Sequence, residues 1–148
     1  TNWHKKDKFK MPTIRAQYRR SFTTAPIIDD DLFAVNYFGH PYQGGYYYNA
    51  LRSQGASAWH SALFCTAQSV LWEYVWEGGM EQPSIQDLIS TPIGGIIYGE
   101  LTHMLSIKMG KNGYTWVEAV VIRIMNPAFA FNNRLRIWKL KPQYLHDW

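Results

Sequence analysis

The sequence predicts a mostly α-helical protein, a compact bundle of four to five helices behind a basic, poorly periodic N-terminal arm. Three observations support this fold class. Apolar residues recur at helical spacing in several segments, capping residues precede the clearest of them, and no segment alternates as a strand does. The chain has 148 residues, of which 47% are hydrophobic, so we expect one domain with a real core.

The arm comprises residues 1–26, and residues 27–148 form the predicted helical domain. The arm carries seven Lys and Arg against one Asp and shows little periodicity. We therefore expect it to be extended, or ordered only against another molecule. The middle of the chain is acidic and its end is basic again. This asymmetry fits anionic lipid or nucleic acid at the ends, and it equally fits internal charge matching and solubility.

Helix-start and helix-stop residues divide the domain into predicted elements. Ser57 is an N-cap, Gly78 and Gly79 stop the clearest helix, and Ser84 starts a second long one. The four main predicted helices cover 41–55, 57–77, 84–109 and 115–125, with a break at 39–41 and a turn at 111–114. Residues 29–31 could cap a further short helix through Phe38, and a short final helix could cover 128–138.

The stretch "EQPSIQDLISTPIGGIIYGE" combines a helix start with glycines in mid-helix. Ser84 and Asp87 have the spacing of a capping box. Pro92 is expected to bend the first turns. Small residues on one side of this helix let a second helix approach closely. We expect that second helix to be the preceding one, 57–77. The predicted helix-packing residues are Thr91, Gly94, Gly95 and Gly99.

Polar residues on the same two helices suggest a site. Glu73 and Asp87 are predicted to converge near one end of the hairpin, whereas His60 points elsewhere. His40 stands in a Gly-His-Pro break. His40, Glu73 and Asp87 are the catalytic candidates, able to act together on a glycan or a lipid ester. The further binding candidates are Tyr42, Gln43, Glu77 and Glu81.

Each of these residues also has a plain structural interpretation. His40 fits a side chain that satisfies backbone groups at a turn, and the acidic residues fit a solvated face plus a helix cap. The carboxylates could bind a divalent cation, but no tight metal-ligand spacing is present, and we expect no metal and no cofactor. Ser61, Ser69 and Thr91 lack a nucleophile-elbow motif.

The remaining composition bears on the environment. Cys65 is the only cysteine, so we expect a buried free thiol. No signal peptide is visible at Thr1, which fits a processed form or a fragment. Residues 32–51 and 53–72 carry no charged side chain, but their polar content favours burial in an assembly, or shallow seating at a membrane surface, over free spanning.

Four stretches carry a resemblance to a known family. "NYFGHPYQGGYYYNALRSQG", "SVLWEYVWE", "EQPSIQDLISTPIGGIIYGE" and "NPAFAFNNRL" together resemble an uncharacterised domain family of Gram-negative envelope proteins. The resemblance implies a periplasmic or outer-membrane setting and no known activity. The pattern from Glu73 to Gly99 is also similar to the helical hairpin of VanZ-like proteins. Those usually carry Asn where this chain has Thr91, and Arg where it has 81–82.

Together these features predict a non-enzymatic, aromatic-rich helical module at the periplasmic face of the outer membrane, or a subunit of a complex there. The alternative is a lipid- or glycan-modifying envelope enzyme that uses His40, Glu73 and Asp87. The expected partner is an envelope protein, for which an outer-membrane β-barrel is one candidate, with lipid as a further contact. The arm mixes aromatic and basic residues, but the envelope resemblance argues against nucleic acid.

Overall fold

A computed structural model describes residues 11–28 and 32–137 of the chain. The described part is mostly helical and contains no strand, which confirms the predicted fold class; Ile27 and Ser84 form one isolated bridge. Two short π-helical turns lead into and out of the regular helices, Val35–Gly39 before α2 and Trp72–Trp76 after α3. The helices are α1 (Met11–Thr23), α2 (His40–Arg52), α3 (Ala58–Leu71), α4 (Ile85–Gly110), α5 (Trp116–Met125) and α6 (Pro127–Asn132).

The caps predicted for the two long helices are present. Ser57 accepts the N–H of His60 at the start of α3, and Ser84 accepts the N–H of Asp87 at the start of α4. Thr115 and Glu118 add a complete capping box to α5. These bonds satisfy N–H groups that would otherwise lack a partner in the first turn of each helix.

The prediction for the arm is wrong over residues 11–26, and residues 1–10 lie outside the described part. Residues 11–23 form α1, which packs on this same chain. The Ser21 hydroxyl donates to the Gly78 carbonyl at 2.8 Å, and Tyr18 donates to the carbonyl of Val75. Gln17 and Ser21 are buried, and Ile14 and Tyr18 lie against Gly79. The inner face of α1 therefore mixes polar and apolar residues.

The helix pairing also differs from expectation. α4 packs most extensively against α2, and the glycines of α4 face α2 rather than α3. A Cβ atom on Gly95 would lie 2.4 Å from Cα of Gly44, and one on Gly44 would lie 2.0 Å from the carbonyl oxygen of Thr91. The backbones approach so closely that neither position has room for a side chain, which accounts for the glycines.

The last predicted helix is shorter than expected. α6 ends at Asn132 because Arg134 and Leu135 take positive φ values of 55° and 59°, which a right-handed helix excludes. At the other end, the segment predicted over 29–38 is helical from Phe33 onward, and residues 29–31 lie outside the described part.

The pattern of buried and exposed residues along α4 is the reverse of the pattern in a helix that lies on a water-exposed surface. Its buried residues are small or polar, including Thr91, Gly95, Thr102 and Ser106, while its large aliphatic residues lie on the outer face. A conventional apolar cluster exists only near the C-terminal end of the described part, formed by Tyr114, Ala119, Ile122, Phe129, Ala130 and Ile137. None of the described helices combines the length and apolar content that crossing a membrane requires.

Candidate functional site

His40 links α2 to α4 through both of its ring nitrogens. Nε2 lies 3.0 Å from Oδ1 of Asp87, and Nδ1 lies 3.1 Å from Oγ1 of Thr91. Asp87 and Thr91 are one helical turn apart, so the imidazole meets two side chains on the same face of α4. All three residues are buried, and Thr91 is only 3% exposed.

Glu73 joins this cluster from the second π turn. Its Oε2 accepts the backbone N–H of Ser84 at 3.0 Å, and the Ser84 hydroxyl accepts the N–H of Asp87 at 3.2 Å. The capping box predicted for α4 is therefore half present. Asp87 was expected to return a bond to Ser84, but Glu73 accepts that N–H while the Asp87 carboxylate lies against His40. Glu73 thus fixes the start of α4 from outside the helix.

These side chains line one small cavity. It encloses about 240 Å³, and its walls include the candidates His40, Glu73 and Asp87 together with Gln43, Glu77 and Glu81. The structure therefore brings together the three catalytic candidates and three of the four binding candidates. Tyr42 lies elsewhere, since its hydroxyl donates to the carbonyl of Ile124 at 2.7 Å. Glu73 and Asp87 converge near one end of the hairpin as the helix spacing predicts.

The order carboxylate, imidazole, hydroxyl is the order of a hydrolytic triad. Asp87 lies at one nitrogen of His40, and the Thr91 hydroxyl lies at the other. Thr91, however, is buried and does not line the cavity, so its hydroxyl has no open path to a substrate. Within the cavity the exposed chemistry is a set of carboxylates beside a histidine. Among the described residues, no three His, Cys, Asp or Glu side chains are grouped so as to hold a metal ion.

The other candidate nucleophiles lack a partner base. The Ser61 hydroxyl donates to the carbonyl of Ser57, and Ser69 is buried without a hydrogen-bond partner among the described residues. Cys65 is buried as predicted, and its Sγ donates to the carbonyl of Gly44 at 3.2 Å. Burial raises the pKa of the Cys65 thiol to about 11, so it stays protonated and unreactive near neutral pH.

A second polar cluster lies further along α2 and α4, and sequence reasoning missed it. Arg52 places Nε 3.0 Å from Oε2 of Glu100, and the Tyr48 hydroxyl donates to the same oxygen. Burial opposes ionisation of Glu100, but the bonds from Arg52 and Tyr48 outweigh it, and the pKa of Glu100 falls below its usual value. Arg52 is the one charged residue between 32 and 72, which was a usable signal.

His103 lies one turn beyond Glu100. It is 1% exposed, and neither ring nitrogen has a hydrogen-bond partner among the described residues. Burial, reinforced by the positive charge of Arg52 and opposed by Glu100, lowers the pKa of His103 to about 4. The ring is therefore neutral at physiological pH, with one N–H donor and one acceptor unsatisfied.

Comparison with known proteins identifies a family for most of the chain. The model of a family described as a domain of unknown function, DUF3943, matches residues 25–128. The match covers α2 to α5, both π turns and both polar clusters. No curated protein and no solved structure matches the chain.

Proposed function

Because the chain belongs to the DUF3943 family, whose function is unknown, we propose a role from its structure. We propose a non-enzymatic helical module that seats its apolar outer surface in the lipid of the bacterial envelope. The setting we propose is the periplasmic face of the Gram-negative outer membrane, where the module acts alone or as a subunit of a complex. The single observation that carries the proposal is the inverted burial of the helices.

The outer face of α4 shows this inversion most clearly. Ile85, Ile89, Ile93, Ile97 and Leu101 follow one another at four-residue spacing and are between 41% and 61% exposed. In water, each half-exposed side chain of this size leaves roughly 1 kcal/mol of burial unrealised. The opposite face is polar and tightly packed. Helices that pack through small and polar residues and present aliphatic residues outward are typical of an apolar environment.

The apolar outer surface is not confined to one helix. α3 adds Trp59 and Leu63, and α5 adds Trp116 and Ile124, with Trp116 being 78% exposed. Exposed apolar side chains on three helices give a larger apolar surface than a solvated domain ordinarily presents, which favours contact with lipid. Exposed tryptophans also suit the headgroup layer, because the indole ring is apolar and its N–H is polar.

The envelope setting rests on the sequence resemblance and on the charge of α1. The four motif stretches that resemble Gram-negative envelope proteins lie largely within the part of the chain that the family model matches. α1 also carries the exposed residues Arg15, Arg19 and Arg20, whose positive charges complement anionic headgroups.

Vesicle flotation tests the proposal. The full chain is mixed with phosphatidylcholine vesicles in detergent-free buffer and centrifuged through a density gradient. We expect the chain to float with the vesicles, and Ile93→Asp together with Ile97→Asp to abolish flotation, because charged groups resist transfer into apolar surroundings. The matched control is Gln54→Glu together with Asn112→Asp, which adds the same charge at exposed polar loop positions.

The control variant should float as well as the parent chain, and helix content should be equal in all three by circular dichroism. A chain that stays monodisperse in detergent-free buffer and never floats would overturn the proposal. Equal loss of flotation in both double variants would also overturn it, since it would show an effect of charge alone.

One observation favours a second candidate, a lipid- or glycan-modifying enzyme. His40, Glu73 and Asp87 line the same cavity, and His40 lies 3.0 Å from the Asp87 carboxylate, an arrangement that can move a proton. If this function holds, His40→Ala and Glu73→Ala each abolish turnover of an envelope lipid or glycan while the fold persists. Cys65→Ala, a buried change outside the cavity, should leave turnover intact. Parallel losses of turnover and of melting temperature would show that the cluster only stabilises the hairpin.

A further inference from the structure

A groove lined by the C-terminal half of α4 lies apart from the His40 cavity. It encloses about 510 Å³ between Arg52, at the end of α2, and the last turns of α4. One wall is apolar, formed by Leu101, Met104 and Leu105, and the far end carries Lys108 and Lys111. The groove thus has an aliphatic wall leading to a cationic end.

His103 supplies an independent sign that this groove takes a ligand. The ring lines the groove, is almost fully buried, and has two nitrogens without partners among the described residues. Leaving a buried polar group unsatisfied is unfavourable, so binding of a molecule that hydrogen-bonds to it is favoured. Being neutral, His103 offers one donor and one acceptor, and it therefore suits a headgroup with both an acidic oxygen and a hydroxyl.

The charges around the groove fit an acidic headgroup. Arg52 is paired with Glu100, but neither Lys108 nor Lys111 has a carboxylate within ion-pair distance among the described residues. The negative end of the α4 dipole accounts for cations at this place. It does not account for an unsatisfied histidine between them and Arg52.

We infer that this groove binds an anionic phospholipid with a hydroxylated headgroup. The phosphate lies at Lys108, Lys111 and the N–H of His103, and an acyl chain follows Leu101, Met104 and Leu105. The inference rests on the proposed function, since a surface seated in lipid meets such molecules, and it adds selectivity among them. Lys and Arg bind phosphate through charge-assisted hydrogen bonds, which are stronger than neutral ones.

The test uses the full chain in non-ionic detergent micelles, so it does not depend on insertion into vesicles. The probes are dihexanoyl phosphatidylglycerol, dihexanoyl phosphatidylcholine and inorganic phosphate at equal concentrations. The readouts are the ring ¹⁵N signals of His103 and the Kd from the titration. We expect phosphatidylglycerol alone to shift the His103 signals.

Two double variants locate the effect. Lys108→Gln with Lys111→Gln should raise the Kd for phosphatidylglycerol at least tenfold, while Lys108→Arg with Lys111→Arg should keep it within about threefold. The control, Arg134→Gln with Arg136→Gln, removes the same charge from exposed positions after α6 and should change the Kd less than twofold.

Equal losses in the Lys108 and Lys111 double glutamine variant and in the Arg134 and Arg136 control would overturn the inference, since they would show attraction by net charge. Equal shifts with phosphatidylcholine would overturn it as well. A shift with inorganic phosphate of the same size would show an anion site without lipid selectivity and would overturn the assignment to phospholipid. Failure of flotation with phosphatidylcholine vesicles, by contrast, would count against the proposed function and leave the micellar titration interpretable.

Discussion

The interface between α2 and α4 and the cluster around α5 and α6 are stabilised by different chemistry. Along α2 and α4, glycine rows bring the backbones together, and buried side chains such as Asn49 bond across the gap, here to the Gly99 carbonyl at 2.9 Å. Around α5 and α6, Ile122 and Phe129 pack in an ordinary apolar core. The first interface buries polar residues and leaves aliphatic residues outside, whereas the second buries large apolar side chains.

The close approach of α2 and α4 explains why the large hydrophobic residues of α4 lie on its outer face. An apolar core needs the large side chains of each helix, as Ile122 shows. The α2–α4 interface leaves no space for them, because Gly44 and Gly95 set the helix separation. Ile93 and Ile97 therefore lie exposed on the outer face of α4, which is the basis of the lipid proposal.

The largest expected effect is in the apolar cluster. Ile122→Ala should lower the free energy of unfolding by about 2–5 kcal/mol, because it opens a cavity in a closely packed core. The control on the same helix is Val120→Ala, an exposed position that should change stability by about 0.5 kcal/mol or less. Chemical denaturation in detergent micelles measures both. Similar losses at the two positions would show that α5 is not packed as described.

An acid-sensitive loss of stability should come from His103, which faces Arg52 and Glu100. The folded state holds the pKa of His103 at about 4, below its ordinary value of 6.5, so the unfolded state binds more protons between these values. Stability is therefore lost as pH falls from about 6.5 through about 4. At about 1.4 kcal/mol for each pH unit between the two pKa values, the loss is about 3 kcal/mol.

His103→Gln should flatten that part of the unfolding profile, measured as the denaturation midpoint against pH. Glu100 has a lowered pKa, so its own contribution is lost only at more acidic pH, as the pH falls below the ordinary glutamate range. Arg123→Gln is a control outside this cluster and should retain the slope between pH 4 and 6.5. An unchanged slope in His103→Gln would assign the acid sensitivity to other groups.

A smaller change in stability should distinguish glycines that have no room for a Cβ atom from glycines that have room for one. Gly95→Ala should cost about 1–3 kcal/mol, because its Cβ would meet only backbone atoms of Gly44 and Gly45, which no side-chain rotation can relieve. Gly39 is the matched control, since the nearest atom to a Cβ there is Val35 Cγ1 at 3.8 Å. Gly39→Ala should be neutral or stabilise by up to about 1 kcal/mol. Equal responses would contradict the close approach of α2 and α4.

Local signals in the sequence predicted much of the fold. Ser57 and Ser84 marked the starts of the two long helices, because capping depends on residues a few positions apart. The convergence of Glu73 and Asp87 followed from helical spacing and a short loop. These features depend on neighbours in the chain, which a sequence displays directly.

Features that depend on distant residues could not be read in the same way. A glycine row shows that some helix approaches closely but not which one, so Gly95 was paired with the wrong helix. α1 was missed because its many basic residues obscure the four-residue spacing of Ile14, Tyr18 and Phe22. These three residues lie against Gly79 and Tyr74. The hydrogen bond from the Ser84 N–H to Glu73 could not be predicted either, because it depends on how the π turn orients the Glu73 carboxylate.

The most direct test of the account asks what surrounds the outer face of α4. In a Cys65→Ala background, a nitroxide label is placed at Ile93, at Ile97 or at the exposed turn residue Asn112, and the chain is bound to phosphatidylcholine vesicles. Collisions with oxygen report lipid, and collisions with a water-soluble nickel chelate report solvent. We predict high oxygen and low nickel accessibility at Ile93 and Ile97, with the reverse at Asn112. High nickel accessibility at both isoleucines would contradict the claim that the apolar outer face of α4 is seated in lipid.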